Sequence, residues 1–187
     1  MIDETNFERV DLDGVGRMSD LAREAKCYLL SHEWCWHVFD VYLSADYGGV
    51  VFLANIKPFV APVGRQIWVV SGELPIAYVD TRACRTPVEA LAVYCVSAAV
   101  WVSKTLKGKP TKVAIKLHRH GDLAQVASEG DLRSAIEALA VVTDRLVSDE
   151  ASFLSLSPGL QDELKDVRRG TRTWIKDPNA DAPERGA

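Results

Sequence analysis

Residues 32 to 37, His-Glu-Trp-Cys-Trp-His, place two histidines, a thiol, a carboxylate and two indoles within six positions. Imidazole and thiolate are ligands that zinc takes readily. On an extended strand successive side chains alternate between faces, so Cys35 and His37 would point the same way. His118 and His120 form a second such pair downstream. If the two segments were neighbouring strands, Cys35, His37, His118 and His120 would offer one thiolate and three imidazoles to a metal. Three features oppose this. The ligands come from distant segments with no ligating spacing, and Lys112 and Lys116 share the face of His118 and His120, where their charge repels a cation. The face of Cys35 and His37 also continues into Phe39 and Val41, an apolar set. Core cysteine and half-buried histidine are the ordinary explanation, and no metal or other cofactor is expected.

Nucleophilic chemistry has even less support. A cysteine nucleophile needs a base within reach and a third group to orient that base. His32, His37 and His118 are candidate bases for Cys35, but nothing marks the third group. There is no Gly-x-Ser-x-Gly elbow. Gly14-Val-Gly16 lacks the preceding strand that a dinucleotide fingerprint requires. Asp40, Asp46, Glu73 and Asp80 could gather at one end of a sheet, where paired carboxylates do acid–base work. Solvated surface carboxylates are the usual outcome.

Charge is distributed unevenly. The chain as a whole is mildly acidic, with a net charge of -4, which gives no case for nucleic acid or a membrane surface as partner. Between Glu89 and Asp122, however, no acidic residue occurs, while Lys104, Lys107, Lys109, Lys112, Lys116 and Arg119 do. This strip would either complement a helix C-terminus or dock an acidic partner or a phosphate chain.

The elements that must position these groups follow from periodicity. Met18, Leu21, Ala22, Ala25, Tyr28 and Leu29 form one apolar stripe, which predicts a helix from Arg17 to about His32 with Ser19 or Asp20 as its cap. The period then changes to two, with Trp36, Val38, Asp40 and Tyr42 on one face and His37, Phe39, Val41 and Leu43 on the other. Asp46-Tyr-Gly-Gly49 is a turn signal. Val50 to Ile56, Gln66 to Val70 and Ile76 to Val79 read as further strands, the last beside Pro75 and so at an edge or a strand start.

Thr86-Pro87-Val88-Glu89 has the composition of a capping box and opens an apolar helix running to about Leu106. Its near-continuous apolar run, Ala90 to Val102, is shorter than the about 20 residues that a membrane span needs. Lys112 to His120 alternates and could add a fifth strand. A helix from Asp131 to Asp149 would bury Leu132, Ile136, Leu139, Val142 and Leu146, and Ser157-Pro158 opens a last helix to about Arg169.

Strands first and helices later, with connections too short for parallel crossovers, predict an α+β fold. It should hold an antiparallel sheet of four to five strands with helices packed mainly on one face. Residues 1–13 read as an acidic flexible lead-in, 14–175 as a single domain and 176–187 as a disordered tail. The polar N-terminus resembles no export signal, and four cysteines without a paired spacing fit free thiols in a cytoplasmic protein.

The stretch Trp68-Val-Val-Ser-Gly72-Glu-Leu-Pro75-Ile-Ala-Tyr78, followed by Pro87-Val-Glu-Ala90, resembles an uncharacterised bacterial family, a domain of unknown function. Its pattern is a tryptophan-led strand, Gly-Asp-Leu-Pro, and a tyrosine three residues after the proline. Trp101 and the helix from Leu132 to Glu150 are similar to later parts of that pattern, while Glu73 departs from its usual aspartate. The resemblance spans about residues 34 to 150 and implies a domain, not an activity.

Read physically, Gly72 permits a sharp turn and Pro75 sets the exit. Glu73, Tyr78 and Asp80 then form either a packed turn or a recognition tip. Trp34 and Trp36, if exposed, would anchor an interface. With no catalytic set assembled, the sequence points to a protein-binding domain. Its most concrete form is an immunity protein that occludes a toxin. A metal-dependent or cysteine-based hydrolase is the rival, and a binder of phosphate-rich ligands the third reading.

Overall fold

The computed structural model describes residues 1–59, 65–107 and 129–177. The chain divides into two compact units where its length points to one domain. The first unit comprises Met1–Gly72 and Ile76–Leu91, the second Glu73–Pro75 and Ala92–Ala187. The architecture is α+β.

In the first unit five strands pair antiparallel in chain order: β1 (Glu8–Arg9), β2 (Cys35–Asp46), β3 (Gly49–Pro58), β4 (Gln66–Gly72) and β5 (Ala77–Asp80). The helix α1 (Arg17–Leu30) packs on β2, β3 and β4. Ala22, Ala25, Tyr28 and Leu29 from its apolar stripe are buried with Val38, Val41, Phe52, Ala54, Ile56, Ile67 and Val69. Alternate residues Val51, Leu53, Trp68 and Val70 are buried as well, so β3 and β4 are apolar on both faces. That explains why their sequences read as apolar runs and do not alternate with polar residues.

Gly16, at a φ of 127°, starts α1 without a side-chain cap, ahead of the Ser19 and Asp20 that its sequence offers. The turn between β2 and β3 needs Gly48 at a φ of 88°, and the Asp46 carboxylate accepts from its amide at 2.9 Å.

Residues 1–13, read as an acidic lead-in, make specific contacts with the sheet. Ile2 exchanges two hydrogen bonds with the Gln66 side chain, 2.6 and 2.9 Å. Phe7 meets Trp68 edge-on, with ring centres 6.0 Å apart. Glu8 and Arg9 pair with Leu43 and Tyr42 as the fifth strand. Acidity hid an apolar subset: Val10 and Leu12 pack on the core, while Asp3, Glu8, Asp11 and Asp13 stay exposed. The alternating segment Lys112 to His120 lies outside the described residues, as does the tail from residue 178.

The helix α2 (Pro87–Leu106) opens with the expected capping box. The Glu89 amide donates to Thr86 Oγ1 at 3.1 Å, and the Glu89 carboxylate accepts from the amides of Thr86 and Arg85 at 3.1 and 2.7 Å. Thr86→Ala leaves one first-turn amide without its acceptor. It is expected to lower stability by about 1 kcal/mol, read as an earlier urea midpoint at an unchanged slope. By length and composition alone α2 is long and apolar enough to cross a bilayer. Its residues Ala90, Leu91, Ala92, Cys95 and Val102 are buried within the protein, as those of a core helix are.

The second unit continues with α3 (Glu129–Ser148), α4 (Glu150–Ser155) and α5 (Pro158–Lys176). Leu132, Ile136, Leu139, Val142 and Leu146 are all buried, as the period of the sequence requires, and α3 packs against α4 and α5. Ser157 caps α5, accepting from the Leu160 amide. The helix passes the expected end at Arg169 because Thr171 and Trp174 are buried and hold its last turns in place. Asp144 on α3 receives both Arg168 and Arg172 of α5.

Candidate functional site

Strand β2 does not alternate. Its pairing with β3 slips at three places, so that Trp36, Phe39 and Ser44 have no partner residue. Each slip is a bulge, with two residues on β2 opposing one on β3. The inward residues are therefore Cys35, Val38 and Val41, at a spacing of three. Trp36, His37 and Phe39 all face outward. This corrects the expectation that Cys35 and His37 share a face: Cys35 is buried and His37 exposed.

The bulges create an aromatic surface. Trp36 and Phe59 stack with ring centres 5.5 Å apart and planes at 13°, yet they are 62% and 63% exposed. The Phe59 amide donates to the Trp34 carbonyl at 2.7 Å, which holds the two rings side by side. Lys57 places its ammonium 5.8 Å from the Trp36 ring, a favourable position over a π face. Phe39, 54% exposed, meets the His37 ring edge-on at 4.8 Å.

This surface borders an open stretch of sheet edge. β1 pairs with Tyr42 and Leu43, and its last bond runs from the Val10 amide to the Val41 carbonyl. Among the described residues no strand pairs with the outer edge of β2 from Cys35 to Asp40. Where β1 departs, Phe39, Asp40, Lys26 and residues 9–13 line a cleft of about 410 Å³.

Beside the surface, the opening segment joins the motif around Tyr78. Trp34 and Tyr78 lie 5.0 Å apart with rings at 66°. His32 touches both, at 5.0 and 5.3 Å, and also Tyr28 at 4.7 Å. Edge-on contacts of this kind favour a fixed packing of the rings. The His32 Nδ1 lies 2.8 Å from the Tyr28 carbonyl. Burial pushes the Tyr28 phenol well above its usual range. The opening segment and the Tyr78 motif thus meet as an aromatic cluster, and Tyr78 remains partly exposed.

The other candidates separate. Asp80 is bound by Arg82, whose hydrogen bonds hold its carboxyl below the usual range. Asp40 pairs with Arg9 at 2.6 Å and Asp46 with Arg17 at 3.3 Å. Each carboxylate thus has its own guanidinium, and no shared acid–base site forms among them. Glu73 is exposed and belongs to the second unit, whereas Tyr78 and Asp80 belong to the first. Lys104 is half-buried and Lys107 exposed. Lys112, Lys116, His118 and His120 lie outside the described residues. Among the described residues no three His, Cys, Asp or Glu side chains lie close enough to hold a metal ion.

The three buried thiols are poor nucleophiles. Burial raises those of Cys35 and Cys95, and burial with the nearby Glu89 and Asp80 charges pushes Cys84 up to about 11. Cys27 is exposed and the other three are buried. An aromatic disulfide reagent at neutral pH is therefore expected to label Cys27 rapidly and the other three only after denaturation. Rapid labelling of Cys35 in the native protein would contradict its burial.

Phe39, Lys57 and Phe59 were not evident from periodicity. The available signal was that Trp36 and Phe39 fall on opposite faces of an unbroken strand, so simple alternation buries one of them. Comparison of the chain with protein-family models, with curated proteins and with solved structures gives no match.

Proposed function

We propose that the protein is a non-enzymatic binding domain whose partner is another protein, engaged through the outer edge of β2. The observation that carries this reading is the stacked, solvent-facing Trp36–Phe59 pair beside an open sheet edge. Tryptophan and aromatic neighbours concentrate binding energy where they leave water together. Exposing them on a free protein is unfavourable unless something covers them. The bulges support the same reading, since they turn two aromatic residues outward at the point where strand pairing ends.

In its most concrete form the domain is an immunity protein working in the cytoplasm, masking a toxin by steric occlusion. Lys57 and Lys26 would speed the encounter with an acidic surface. The raised thiols and the arginine-bound carboxylates favour binding over hydrolysis.

Co-expression with the product of the adjacent gene tests the reading. A complex surviving gel filtration, with relief of any growth arrest that product causes, is the expected result. A partner that binds the Trp36→Ala, Phe59→Ala double variant as tightly as the parent would overturn the assignment of the surface.

A further inference from the structure

The second unit contains a cleft of about 250 Å³ between α2 and α5. It exists because the side chains facing it are small: Ala99 and Ser103 on α2, and Gly170 on α5. Trp174, one turn beyond Gly170, lines it and is 4% exposed. Val96, Val100 and Val167 add aliphatic lining, so a ring or branched chain placed against them loses water on several sides at once.

The rim carries both signs of charge. Lys104, the first member of the basic strip, comes from α2, and Glu163 from α5. Neither forms an ion pair with the other or with any described residue. Asp166, also at the rim, is bound by Arg169. The net result is one open cation and one open anion on the two helices flanking an apolar hole.

We propose that this cleft binds a small zwitterion with an apolar body, namely a free α-amino acid with an aromatic or branched aliphatic side chain. The carboxylate meets Lys104 and the ammonium meets Glu163, each as a charge-assisted contact. The side chain lies against the Trp174 indole, in the space left by Ala99 and Gly170. A benzene-sized ring fits a cavity of about 150 Å³, which leaves room for the α-carbon and its two charged groups. A simple anion would gain Lys104 but face Glu163 and Asp166. A simple cation would gain Glu163 and face Lys104. Only a ligand carrying both charges satisfies the rim.

Calorimetric titration of the full chain with L-phenylalanine and L-leucine tests this, with indole fluorescence as a second readout. Saturable binding of one molecule per chain is expected. N-acetyl-L-phenylalanine lacks the ammonium and phenethylamine lacks the carboxylate, and each should bind at least about tenfold more weakly. Lys104→Met and Glu163→Gln should each weaken L-phenylalanine by a similar factor of about ten. Both positions reach the surface, so the fold should be kept. Ser103→Leu fills the cleft from the α2 side and should abolish binding at an unchanged circular-dichroism spectrum. Absence of saturable binding to either amino acid would overturn the proposal. So would indole binding as tightly as L-phenylalanine, or unchanged affinity in the Lys104 and Glu163 variants.

Discussion

Trp68→Ala is expected to destabilise the protein by about 4 kcal/mol, the range measured when a large aromatic is truncated in a core. Trp68 is fully buried in β4, opposite Leu53 of β3 and Val79 of β5. Its indole N–H donates to the Cys84 carbonyl at 2.9 Å, and its ring supports Phe7 of the N-terminal segment. The substitution removes the packing, opens a cavity and leaves a buried carbonyl without its donor. A whole domain has only about 5–15 kcal/mol of stability, so the variant should sit close to its unfolding threshold.

Trp68→Phe separates the contributions. It keeps most of the ring but loses the hydrogen bond, and should cost about 1–3 kcal/mol. Urea unfolding followed by circular dichroism reads both effects. A loss below about 1 kcal/mol for the alanine variant would show that Trp68 does not hold the sheet to the segment after β5. Labelling of Cys84 should also accelerate in Trp68→Ala, because local opening at that carbonyl exposes its thiol.

The second large effect concerns the proposed function. Trp36→Ala is expected to weaken partner binding by about thirtyfold, corresponding to the roughly 2 kcal/mol that an aromatic interface anchor carries. The same change should cost the free protein only about 1 kcal/mol or less, because the ring is mostly in solvent and loses only its stack on Phe59 and the contact with Lys57. This asymmetry is the useful feature. A residue that only supported the fold would lose stability and binding together. Trp36→Ala with unchanged affinity and a lowered unfolding midpoint would move Trp36 from the interface to the fold. Lys57→Glu gives a third readout, since a rim charge acts mainly on the association rate and its salt dependence.

Much of the local structure was legible in the residues themselves. The capping box at Thr86, the Ser157 cap and the stripes of α1 and α3 are local interactions, complete within one or two turns of helix. The Gly48 and Gly72 positions are local as well, because each has a positive φ that glycine tolerates. The antiparallel, α+β character followed from short connections, which allow hairpins and exclude parallel crossovers. Among the candidate site residues, Trp34, Trp36 and Tyr78 belong to the aromatic surface or its neighbouring cluster.

The tertiary structure decided the rest, for reasons that are non-local. A bulge is defined by which residue of β3 faces which residue of β2, so no count along β2 reveals that Trp36, Phe39 and Ser44 are the unpaired ones. The slip at Trp36 left Cys35 inward and His37 outward and broke the pair on which the metal reading depended. Phe59 became part of the surface only through its backbone bond to Trp34, across the hairpin. The acidic first residues find their contacts on Gln66 and Trp68, some sixty positions away. By itself the sequence determined the helices α1, α2, α3 and α5 and the strands β2 to β5, because short-range sterics and hydrogen bonding settle those; the two-residue β1 exists only through its pairing with β2. Which aromatic rings face water was decided by strand register and by where β1 stops pairing, and both are properties of the assembled sheet.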